Sequence, residues 1–126
     1  PRGRPFCRQA QEIATMNDRD LRFTLEQAQR ALPAEGAERW SEVFRRGTLR
    51  VGLYAPRGED RQQPHRQDEL YVVMAGRGRF ERAGERVPFG PGDVLFVPAG
   101  VCHRFLDFSD DLAVWVVFYG VEGGEA

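Results

Sequence analysis

The stretch QPHRQDELYVVMAG, residues 63–76, decides the fold once it is set beside GDVLFVPAGVCHRFLD, residues 92–107. Together they hold both histidines of the 126-residue chain, His65 and His103. The first stretch ends in a β-rich run, Leu70–Ala75, stopped by Gly76. The second follows a Gly/Pro turn at Gly90–Asp93, runs through Val94–Pro98 and resumes over Arg104–Phe108. Outward from these, Trp40–Phe44 and Thr48–Tyr54 flank a turn at Arg45–Gly47, with Leu49, Val51 and Leu53 on one face. Gly78–Arg82 and Arg86–Phe89 flank Ala83-Gly84 as a second hairpin. Short strands at roughly eight- to twelve-residue spacing predict a sandwich or barrel and exclude a parallel α/β sheet. The last run, LAVWVVFYG over residues 112–120, is apolar on both faces, which predicts a central strand or one buried at a subunit interface. Upstream, Thr24 and Gln27 form a capping box, and Leu25, Ala28 and Leu32 recur at helical spacing before Pro33, predicting one short helix.

Composition narrows the function classes. Apolar residues make up 41% of the chain, enough for one buried core. The 18 basic residues are all arginine and face 19 acids, for a net charge of −1. With no lysine, Schiff-base chemistry and a lysine-dependent phosphate loop are excluded. No run reaches the roughly 18 apolar residues of a membrane span, and the first residues lack an apolar signal core. Charge this evenly mixed argues against bulk electrostatic binding to nucleic acid, and the one short helix against a helix-turn-helix. Cys7 and Cys102 lie far apart and read as reduced thiols, hence a cytoplasmic address, with Cys102 as a small buried hydrophobe. Residues 1–15 carry three arginines, two prolines and no apolar periodicity, as a disordered tail would.

A histidine on a strand is commonly a satisfied polar residue, but the neighbours of these two suggest more. Gln63, His65 and Glu69 share odd parity, so on an extended chain they project to the same side. If His103 joins them from a distant strand, the site holds two imidazoles and a carboxylate. That ligand set leaves coordination positions open and suits non-haem iron. Tyr71 shares the parity of Glu69, and Phe105 and Asp107 that of His103, so these three are candidates to line a pocket, with Asp107 orienting a ligand from behind. By the same alternation Cys102 and Asp68 point away.

The two stretches resemble the paired motifs of the cupin superfamily. Gln63 stands in the first slot of a His-x-His pair, His65 in the second, and Glu69 and Gly76 follow at the family's spacing. Gly92, Pro98, Gly100 and His103 match the second motif, while Asp107 replaces its asparagine. The resemblance implies an all-β jelly-roll barrel preceded by a short N-terminal helix. It divides the chain into a disordered extension (1–20), helix and linker (21–37), cupin barrel (38–120) and a flexible end (121–126). It also implies one divalent metal ion, Fe, Mn, Ni or Zn, held by Gln63, His65, Glu69 and His103. Some cupins, the phosphomannose-isomerase type among them, use such a Gln-x-His pair; the missing first histidine departs from three-histidine dioxygenases. The expected function is that of a mononuclear metal-dependent enzyme, dioxygenase- or isomerase-like, acting on a small polar molecule, in a homodimer of the kind small cupins form. The alternative is a non-catalytic cupin binding a sugar or metabolite, with structural metal or none.

Overall fold

A computed structural model describes residues 21–34 and 38–125. The expected extension over residues 1–20 lies outside the described residues, and Cys7 with it.

One helix and eight strands follow in order: α1 (Leu25–Arg30), β1 (Trp40–Arg46), β2 (Leu49–Tyr54), β3 (Asp68–Ala75), β4 (Gly78–Arg82), β5 (Glu85–Phe89), β6 (Val94–Val97), β7 (His103–Leu106) and β8 (Ala113–Tyr119). The helix starts at the expected capping box: Thr24 accepts from the Gln27 backbone N–H at 3.1 Å, and the Gln27 side chain accepts from the Thr24 N–H at 3.0 Å. The strands form a five-stranded sheet, β1-β2-β8-β3-β6, and a three-stranded sheet, β5-β4-β7. Every pairing is antiparallel. This is the all-β jelly-roll architecture that the two motifs imply.

The core lies between the sheets. Tyr71 and Val73 of β3, Phe80 of β4, Phe105 of β7 and Val114, Val116 and Phe118 of β8 all pack into it. A second apolar cluster covers the outer face of the larger sheet, where Ala28 of α1 sits on Val43, Leu53 and Ala113, with Trp115 beside them. That explains the apolarity of β8 on both faces. It is a central strand between β2 and β3, and its outward Ala113 and Trp115 lie beneath the helix.

Two turns set the register of the site. At Ala83-Gly84 both residues have positive φ, 51° and 85°, so the β4–β5 hairpin closes through two residues. At Gly100, φ is 79°, and its N–H donates to the carbonyl of His65 at 2.7 Å. That bond joins the loop before β3 to the loop before β7, and so brings the two histidines to one end of the barrel. Asp68, buried at the start of β3, accepts from the N–H groups of Ala99 (2.9 Å) and Glu125 (2.8 Å). The C-terminal segment is thereby tied to the same end, with the Gly123 N–H donating to Arg66 at 2.7 Å.

Candidate metal centre

His103 opens β7 with its side chain fully buried. Its Nδ1 lies 2.8 Å from the Val101 carbonyl, which can only accept, so Nδ1 carries the proton and Nε2 turns a lone pair into the barrel. Facing it at 3.2 Å is Oε1 of Glu69, 1% exposed on β3. These are the buried side-chain atoms without a hydrogen-bond partner among the described residues. His65, on the loop before β3, completes the cluster with Nε2 at 3.8 Å from the same carboxylate oxygen. Its ring packs edge-on against Phe118, 4.9 Å between centroids.

Two bare acceptors set face to face in a dry interior need a proton or a cation between them. Burial pulls the His103 imidazole toward neutrality, but the Glu69 carboxylate and the Val101 carbonyl outweigh it, and its pKa is raised. His65 goes the other way: burial lowers its pKa, and the neighbouring His103 and Arg50 add to that against the opposing pull of Glu69. The three donor atoms fall within 4.8 Å of one another. For bonds of about 2.1 Å, ligand atoms at right angles stand roughly 3.0 Å apart and tetrahedral ones roughly 3.4 Å. The 3.2 Å separation falls between these values and the 3.8 Å one exceeds them by a few tenths of an ångström, so His65 would close slightly on one divalent ion; the donor set of two imidazoles and one carboxylate suits such an ion.

The glutamine aimed at this cluster is Gln62. Gln63 is exposed. The parity argument fails because β3 begins only at Asp68, and Pro64 precedes it in a loop where alternation does not hold. Gln62 is oriented by Asp60, a buried carboxylate that the sequence reading missed. Its Oδ2 accepts from the Gln62 amide nitrogen at 2.8 Å and from the Phe105 N–H at 2.8 Å. Its Oδ1 accepts from the Tyr54 hydroxyl at 2.6 Å. With its nitrogen thus engaged, Gln62 presents Oε1 to the Tyr71 hydroxyl, which donates at 3.1 Å, and to His65 Nε2 at 3.2 Å.

The other sequence candidates separate. Tyr71 is fully buried next to the cluster; burial first, then the Glu69 charge, holds its phenol protonated far above its ordinary pKa. Phe105 is a core ring packed on Tyr71 at 5.0 Å and on Phe80 at 5.1 Å. Asp107 is not in the pocket: it is exposed beyond β7, at φ 50°, and pairs with Arg79. Alternation carries through β7 but ends with it at Leu106. Cys102 points away as expected, yet it is exposed and not buried.

A cavity of about 190 Å³ opens onto the cluster, with His65 and Glu69 in its wall and Trp40, Arg50, Tyr54 and Phe118 around them. No metal motif marks these four positions in the chain. Arg50 and Tyr54 do alternate with Val51 and Leu53, which face the helix, and that inward parity was the available signal.

A barrel of two antiparallel sheets with a two-histidine, one-carboxylate cluster at one end defines a cupin-type domain. The comparisons give the family: the cupin-domain model Cupin_2 matches residues 50–119, and the chain belongs to that family. It is 43% identical over 79 residues to an uncharacterized protein of Streptomyces coelicolor, covering 61% of this chain and 75% of that one. It is 34% identical over 62 residues to acireductone dioxygenase 4 of Arabidopsis thaliana, covering 44% of this chain but only 33% of that enzyme. In fold it is similar to a cupin 2 conserved barrel domain protein from Salinispora arenicola, with a TM-score of 0.62 and 20% identity over 83% of this chain and 92% of the other. Among the described residues no helix is long and apolar enough to cross a membrane.

Proposed function

We propose that this cupin is a mononuclear metal-dependent enzyme acting on a small polar molecule, of the dioxygenase or isomerase kind. The observation that carries the reading is the pair of buried, unpartnered atoms, His103 Nε2 and Glu69 Oε1, with His65 Nε2 beside them. His65, Glu69 and His103 would hold one divalent ion, Fe, Mn, Ni or Zn, with Gln62 Oε1 as a neighbouring oxygen donor. The likeness to an acireductone dioxygenase over part of that enzyme is in keeping with chemistry at such a centre.

A bound divalent ion supplies Lewis acidity, and a redox-active one supplies electron transfer as well. The chain's own groups do the rest. The Val101 carbonyl fixes the His103 tautomer, and Asp60 fixes the Gln62 amide through its nitrogen. Tyr71 keeps its proton and holds Gln62 Oε1 from behind, while Val116 and Phe118 keep water off one side of the cavity.

An enzyme of this kind must keep exchangeable positions on its metal, whereas a purely structural site is closed. The test is to load the protein with cobalt(II) or iron(II) and add azide or, for iron, nitric oxide. The reading expects a saturable change in the metal spectrum. A loaded protein whose spectrum ignores both additions contradicts it and favours the non-catalytic binder.

A further inference from the structure

One guanidinium lies in the wall of the cavity, and nothing in the proposed reaction uses it. We infer that Arg50 is the recognition group for a carboxylate, and that the molecule acted on is a small carboxylic acid with an apolar body. This rests on the reading of the cluster as an open metal centre and names the substrate class for it.

Arg50 lies on β2 opposite Phe118 of β8, and its guanidinium carbon stands 5.0 Å from the centroid of that ring. The same ring packs edge-on with His65, 4.9 Å between centroids. Arg50, Phe118 and His65 therefore form one continuous wall from the guanidinium to the ligand cluster. Trp40 closes that wall, 6.0 Å from Phe118 in an edge-on contact. It reaches there because residue 52 is glycine: a Cβ at Gly52 would come within 2.4 Å of the indole.

The guanidinium is only loosely engaged by the protein. Its Nε lies 3.2 Å from Glu42 Oε1, while Glu42 is itself held bidentately by Arg45 at 3.0 and 3.1 Å. Among the described residues the two terminal amino groups of Arg50 have no hydrogen-bond acceptor, which leaves the planar fork that matches a carboxylate. The side chain is one-third exposed, so a pairing there is partly desolvated.

Arg50 is the one cationic side chain in the lining. A divalent ion at the cluster would be offset by the Glu69 carboxylate and by Asp60 behind Gln62, and Glu38 lies at the solvent-exposed rim, so an anionic group of the ligand is directed to the guanidinium. A volume of about 190 Å³ lies below the roughly 300–1,000 Å³ range of drug-sized ligands, so the occupant is small. Trp40 and Phe118 pack against each other and present one apolar surface to the cavity, so the occupant is apolar where it meets them.

The test titrates metal-loaded protein with benzoate, crotonate and sorbate, each against its primary amide, by calorimetry and tryptophan fluorescence. Metal content is measured on every sample. At least one acid should bind saturably and its amide at least about tenfold more weakly. Arg50→Met should abolish that preference with metal content unchanged, and Arg50→Lys, which keeps the charge but not the fork, should fall between. Glu42→Gln removes the internal competitor and should tighten acid binding. The inference is overturned if no acid binds, if acids and amides bind alike, or if Arg50→Met binds as the parent does. Protein that takes up no metal sinks the enzyme reading instead, and the same acid-over-amide titration on that protein still scores Arg50 separately.

Discussion

Replacing Glu69 by glutamine gives the cluster a signed prediction. In the metal-free protein at alkaline pH, neutral His103 turns its Nε2 lone pair on a carboxylate oxygen 3.2 Å away, and both are buried without another partner. A glutamine amide of the same shape can place an N–H there and donate to that lone pair. An unsatisfied buried polar group costs about 1–3 kcal/mol, so Glu69→Gln should stabilise the metal-free protein by an amount in that range. For a chain of 126 residues 1 kcal/mol moves Tm by about 4 °C, so the melting point rises by several degrees or more. The gain depends on pH with a definite sign. The His103 pKa is raised in the folded protein, so its protonated pairing with Glu69 stabilises the parent fully below the unfolded-state pKa. That stabilisation is lost as pH rises through the folded-state pKa. The advantage of Glu69→Gln therefore grows from acid to alkaline pH. Metal reverses the order: at a hundredfold excess over Kd the parent gains about 2.7 kcal/mol, and the variant, lacking the charged ligand, gains far less. The assay is a set of thermal melts of both proteins across pH, with chelator and with zinc or manganese. A variant less stable than the metal-free parent at alkaline pH, or one stabilised equally by metal, refutes the reasoning.

Further predictions follow from the groups behind the cluster. Gln62→Ala should weaken metal binding about tenfold, within the range found for groups next to metal sites, while Gln63→Ala, at an exposed position, should leave it unchanged; equal effects in a metal titration would contradict the placement of Gln62. Asp60→Asn should lower stability by about 1.5–3 kcal/mol, the worth of a hydrogen bond to a charged group, because an amide cannot accept all the bonds that Asp60 now accepts from Tyr54, Gln62 and Phe105. Chemical denaturation measures this, and a neutral result would show that the buried carboxylate is not holding the loop. Gly52→Ala should cost about 1–3 kcal/mol and red-shift tryptophan emission, since the new methyl displaces Trp40 from the cavity wall.

Most of the barrel was legible in the chain. The strands from Leu70 to Tyr119 carry alternation and glycine-marked turns, and seven of the two motifs' slots are filled as the family resemblance requires. Local pattern and tertiary fold agree there because each strand has one face on the core. Glu69 and His103, at strand positions, were legible for the same reason, and His65, in the loop before β3, through its slot in the family motif. Gln62 and Asp60 were not, because they stand in a loop where parity has no meaning and hydrogen bonds set direction. Asp107 was misread by the converse error, alternation carried past the end of β7 into a residue at positive φ. Trp40 reads in sequence as the start of a hairpin strand; its place over the cavity depends on the missing side chain at Gly52, across the β1–β2 pairing. The apolarity of β8 left two readings open; its place between β2 and β3, with α1 on the outer face, makes it a central strand.

The most direct test of the central claim is metal stoichiometry by mass spectrometry. The protein is purified without chelator or affinity nickel, beside its His65→Ala and His103→Ala variants. The account predicts close to one divalent ion per chain in the parent and none in either variant, with all three folded. Full metal retained in both variants, or a parent that takes up no Fe, Mn, Ni or Zn when these are supplied, would contradict it.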